Sequence, residues 1–82
     1  MNEFDTYINS HDPAISKAAT LLNSATAQYQ LGALSKAEYT ELTNDILDYN
    51  TVIVLISDMT RRQEIYTAFT TLASIVGQII SL

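Results

Sequence analysis

Glu38, Glu41, Asp45 and Asp48 are the residues in this sequence whose type and spacing come closest to chemistry. Their i, i+3, i+7, i+10 spacing places four carboxylates on one face of a helix. Such a stripe offers hard oxygen ligands to a cation or negative charge to a basic partner. A solvated face is the plainer reading and is preferred, because the helix dipole favours acids near a helix start. No histidine joins the stripe, so a di-iron site of the Glu-x-x-His type has no support. His11 is the single histidine in the sequence. It stands in Ser10-His11-Asp12, which has the letters of a triad, but neighbours on one chain rarely meet in catalytic geometry. A turn is the simpler reading. With no cysteine and no glycine-rich phosphate loop, the sequence predicts neither an enzyme nor a cofactor or metal.

The elements that would position these groups read as helices. From Ser35 to Leu82 there is no proline and one glycine, Gly77. Asp12 suits an N-cap and Pro13 the first helical position, so a helix is expected over 13–31. Ile15, Ala18, Leu22, Ala25 and Tyr29 step along it as a heptad seam. Gly32 suits the left-handed residue that closes a helix. Ser35-Lys36-Ala37-Glu38 is a capping box, with Leu34 and Tyr39 placed as its hydrophobic staple. The two helices form an αα-hairpin.

The second arm is expected over 35–57, with Tyr39, Leu42, Ile46, Tyr49, Ile53 and Ile56 on its seam. The β-branched run Val52–Ile56 also suits a buried strand, but no strand partner is marked. Helix is preferred. Residues 57–64 form a polar collar, in which Thr60 and Gln63 could make a second capping box. A helix over 60–82 follows, either separate or continuous with 35–57. Ile65, Phe69, Leu72, Val76 and Ile79 form its apolar stripe, with Tyr66, Ala73 and Ile80 widening it. Thr67, Thr70, Thr71, Ser74, Gln78 and Ser81 lie opposite. One continuous helix from Ser35 would be about 70 Å long. Residues 1–12 read as an arm, with Asn2 as N-cap and Phe4 and Ile8 as its docking residues. The expected fold is all-α, a single helical domain of arm, hairpin and long or broken C-terminal helix.

Composition narrows the partners. Nine acids against four bases give a net charge of −5. That repels phosphate backbones, so nucleic acid is not an expected partner. The opening residues resemble neither a signal peptide nor a transit peptide, so cytoplasmic synthesis is expected. A chain of 82 residues buries only roughly 60–65% of its unfolded surface. No disulfide can supplement its core, and oligomerisation is the common remedy. The stripe of Ile53, Ile56, Ile65, Phe69, Leu72, Val76 and Ile79 is therefore read as a surface for self-association or for a larger structural protein. Arg61-Arg62 before the uncharged segment 65–82 supports a rival reading, a membrane anchor with its arginines on the cytoplasmic side. Six polar side chains on one face oppose a lone anchor.

Two resemblances concern the turn at 32–39. Gly32, Leu34 and Glu38 resemble the second half of an EF-hand loop, but that register puts Ala27, Tyr29 and Leu31 at carboxylate positions, so calcium binding is not expected. Gly32-Ala33-Leu34-Ser35-Lys36-Ala37-Glu38-Tyr39 is also similar to the turn of SHOCT-type helical hairpins, which implies an oligomerisation or docking module. In style, MNEFDTYINSHDPAISKAATLLN resembles accessory or virion-associated proteins of tailed bacteriophages. That resemblance implies a minor structural component or assembly factor. The expected function is thus structural or assembly-related and non-enzymatic. The alternatives are a holin-like membrane protein with 65–82 in the bilayer, and an acidic antitoxin-like inhibitor of a basic partner.

Overall fold

The computed structural model describes residues 3–81, and every regular element among them is helical. The order is α1 (Asp5–Ile8), α2 (Pro13–Gln30), α3 (Lys36–Ile46), α4 (Tyr49–Val52), a 3₁₀ turn (Ile53–Leu55) and α5 (Met59–Ser81). Asn2, the expected N-cap of the arm, lies outside the described residues.

Local chemistry sets the ends of the hairpin helices. The Asp12 carboxylate accepts from the Ala14 N–H at 2.9 Å, and Pro13 stands at the first helical position. At the other end Gly32 takes φ +82°. Ala33 N–H donates to Gln28 O and Gly32 N–H to Tyr29 O, the paired bonds of a Schellman closure. The capping box is complete: Glu38 N–H donates to Ser35 Oγ, and Ser35 N–H donates to Glu38 Oε1 at 2.8 Å.

The second arm differs from the sequence expectation. No helix spans 35–57, and none runs on into the C-terminal segment. The chain leaves α3 at Leu47, and Asp48 begins a new short helix by accepting from Thr51 N–H and Thr51 Oγ1. The 3₁₀ turn follows, and α5 starts at Met59. Asp58 caps it, accepting from Thr60 N–H and Arg61 N–H. The expected capping box at Thr60 and Gln63 therefore lies inside the helix and not at its start. Ile56 and Ile65 explain the break. At about 100° per residue, the nine-residue step between them rotates an unbroken helix by about 180°. One seam would then face the core and the other would face away from it. Both residues are buried, at 9% and 0% exposure. The reversal brings both seams to one side, and the longest dimension of the fold is 39 Å, not the roughly 70 Å of a continuous helix.

The core forms where α2, α3 and α5 meet, with α1 laid against α2 and α4 against α5. Ala18, Ala19, Leu22 and Ala25 of α2 face Ile65, Phe69, Leu72, Val76 and Ile79 of α5 within one cluster that also holds Phe4, Tyr39 and Ile56. Alanines on α2 leave room for the bulky side chains of α5. Ser16 Oγ donates to Ile8 O at 2.7 Å and fastens the arm to α2.

Among the described residues, one ion pair joins distant parts of the chain. Arg61 Nε and Nη2 donate to Asp12 Oδ2 and Oδ1 at 2.8 and 3.1 Å, tying the start of α5 to the start of α2. Hydrogen bonding from Arg61 holds the Asp12 carboxyl below its ordinary value, with the Ala14 N–H acting in the same direction and partial burial opposing them. A carboxyl depressed on folding stabilises the fold above its unfolded pKa of about 3.9, and loses that contribution as pH falls through the folded value. Asp12→Asn keeps a competent cap but not the charge. We expect it to cost about 1–3 kcal/mol at pH 6, with the difference from wild type closing below pH ~4. Denaturant unfolding at both pH values checks this, and a difference independent of pH would contradict it.

Candidate functional site

The residues expected to form an intermolecular surface are mostly inside the molecule. Ile56, Ile65, Phe69, Leu72, Val76 and Ile79 are buried in the chain's own core, and Ile53 is half-buried. The centre of the apolar stripe of α5 is already covered by α2, whereas Tyr66 and Ala73, expected to widen it, are exposed and Ile80 is half-buried. Its opposite face is exposed and uncharged, and several hydroxyls there bond back into the helix: Thr70 Oγ1 to Tyr66 O, Thr71 Oγ1 to Thr67 O and Ser81 Oγ to Gly77 O. No helix among the described residues is long and apolar enough to cross a membrane.

The acidic stripe is divided by the break. Glu38, Glu41 and Asp45 remain together on α3 around a shallow depression with Leu42, whereas Asp48 lies beyond the end of α3 and caps α4. Glu38 belongs to the capping box, and its bonds with the Ser35 N–H and hydroxyl hold its carboxyl below the usual range. Among the described residues no cluster of three or more potential ligands could hold a metal ion. Glu41 and Asp45 are exposed and supply negative charge to the surface of α3.

Arg61 and Arg62, read from the sequence as flanking charges of an anchor, both serve the fold. Arg61 holds Asp12. Arg62 reaches back over the reversal, where Nε donates to Ile56 O and Nη2 donates to Ile53 O at 3.3 Å. The Ile56 carbonyl lies just past the 3₁₀ turn, and the Ile53 carbonyl, which already accepts from the Ile56 N–H, takes Arg62 as a second donor. Tyr49 completes the clamp, with its hydroxyl donating to Arg62 O at 3.2 Å and its ring edge-on to Tyr66 at 5.4 Å.

What this reversal leaves outside is the feature that sequence reasoning missed. Val54, Leu55 and Met59 are 71%, 94% and 71% exposed, and Tyr66 is 58% exposed. Met59 and Tyr66 line one depression with Tyr49, Arg62 and Gln63, and Val54 and Leu55 lie in the 3₁₀ turn that precedes α5. The signal was present in the apolar run Val52–Ile56. Such a run in a turn between helices cannot bury all of its side chains, because a 3₁₀ turn spreads them around its axis. A second apolar feature lies between α2 and the α3–α4 segment. It is a groove of about 440 Å³ lined by Ala14, Ala18, Leu21, Ile46 and Val52, with Lys17 and Asp45 also on its walls.

Compared with protein-family models, with curated proteins and with solved structures, the chain matches none at a significant level. Its architecture defines the class, an all-α helical protein, and its surfaces carry the functional argument.

Proposed function

We propose that this chain is a non-enzymatic structural or assembly protein that docks a larger protein through the exposed apolar corner at Val54, Leu55, Met59 and Tyr66. The observation that carries the reading is the 94% exposure of Leu55, which follows exposed Val54 in the turn before α5, together with exposed Met59 and Tyr66 on that helix. Contiguous exposed apolar side chains mark interaction sites more often than single ones do. Charge states what the partner must offer. The chain carries −5 overall, and two of its four bases are engaged internally, Arg61 by Asp12 and Arg62 by backbone carbonyls. The fitting partner is therefore a protein with an apolar cleft bordered by basic residues. If the tailed-phage resemblance holds, that partner is a component of the particle. Against the membrane-inserted alternative stands the engagement of Ile65, Phe69, Leu72, Val76 and Ile79 in the chain's own core.

Leu55→Asp with Met59→Asp tests the proposal. Both side chains are exposed, so the double variant should unfold within about 0.5 kcal/mol of wild type per substitution. The complex isolated from the native host should be lost, as read by the mass of the native particle. A folded double variant that still enters a complex of unchanged mass and composition would defeat the reading.

A further inference from the structure

The groove between α2 and the α3–α4 segment carries its own charge complement. Lys17 stands on the α2 wall and Asp45 on the α3 wall, and both are exposed. Among the described residues neither takes part in an ion pair. Between them run Ala14, Ala18, Leu21, Ile46 and Val52, with Leu21 45% exposed. Ala14 and Ala18 keep the α2 wall low, so another helix can approach its backbone closely.

From this arrangement we infer that the groove is the contact face for a second copy of the chain, related by a two-fold axis. A two-fold contact requires a patch that complements itself, since each residue meets the reciprocal residue of its partner. A groove with one unpaired base on one wall and one unpaired acid on the other meets that requirement. Lys17 of each copy then lies against Asp45 of the partner subunit. Net charge selects the same face. Two chains of −5 repel, and the contact needs a patch whose own charges cancel. The groove does so, whereas Glu38 and Glu41 beside it do not.

Sedimentation of the full chain across concentrations tests the inference. Wild type should form a dimer whose population rises with concentration. Lys17→Asp alone sets acid against acid and Asp45→Lys alone sets base against base, so each should weaken the dimer roughly tenfold or more. Mixing the two single variants should restore it, because the heterodimer regains both opposite-charge contacts. The double variant carrying both exchanges should also dimerise, since reciprocal geometry preserves each pair. Leu21→Glu should give a folded monomer, with helix content by circular dichroism confirming the fold. A wild type that stays monomeric at every concentration overturns the inference and leaves the groove to a different occupant. A dimer untouched by Leu21→Glu, or single variants that mixing fails to rescue, would also overturn it. The inference is separable from corner docking: Leu55→Asp with Met59→Asp should leave the dimer intact.

Discussion

Replacing Phe69 and Val76 together with aspartate is expected to unfold the chain, not to turn an oligomer into folded monomers. The stripe they belong to reads from sequence as an intermolecular surface. In the fold both side chains lie in the chain's own core, at 4% and 5% exposure. An unpaired carboxylate taken out of water there costs several kcal/mol even after relaxation. Two of them meet a total stability of roughly 4–12 kcal/mol for a domain of this length. Protonating the carboxylates would lessen the cost, but the lost apolar contacts would remain. Far-UV circular dichroism and sedimentation together give the answer. Loss of helical signal is the expected result. A fully helical variant of lower mass would mean that this stripe faces another molecule and that the core described above is wrong.

Tyr39→Ala should have the next largest effect, about 3–5 kcal/mol. Tyr39 is fully buried at 0% exposure. Its ring stacks on Tyr29 at 4.5 Å with the planes 6° apart, and its hydroxyl shares a 2.7 Å hydrogen bond with Thr26 Oγ1. Burial is the main cause that raises its phenol above the ordinary value. One side chain therefore joins α2 to α3 by stacking, packing and a polar bond together. Truncation leaves a cavity and deprives Thr26 of that bond. Tyr39→Phe separates the contributions, since it keeps the ring and removes only the hydroxyl, for about 1–2 kcal/mol. Urea unfolding of the three proteins measures both. Equal losses for Phe and Ala would show that the hydroxyl, and not the ring, holds the hairpin.

Both expectations show which features local sequence can carry. The caps at Asp12 and Ser35 and the Gly32 closure use partners within five residues, so their chemistry is written in adjacent letters. The heptad seams of α2 and α5 are likewise legible, because a helix repeats its face at a known interval. What a seam meets is another matter. Ile65 to Ile79 show the spacing of a packing surface, and that spacing is the same whether the opposing helix belongs to this chain or to another. The phase shift between Ile56 and Ile65 was readable in principle and marks the reversal. The continuous absence of proline across the segment concealed it.

By itself, then, the order of amino acids determined an all-α chain, both ends of α2, the start of α3 and the sides of α2 and α5 that avoid water. Those depend on forces acting over a turn or two of backbone. Tertiary structure alone decided that α5 folds back onto α2, that Arg61 reaches Asp12 across 49 positions, and that Leu55 is left outside while Phe69 is enclosed. Which apolar side chain becomes core and which becomes surface depends on the direction of the chain after the reversal. That direction is set by contacts between residues far apart in sequence, and local spacing carries no record of it.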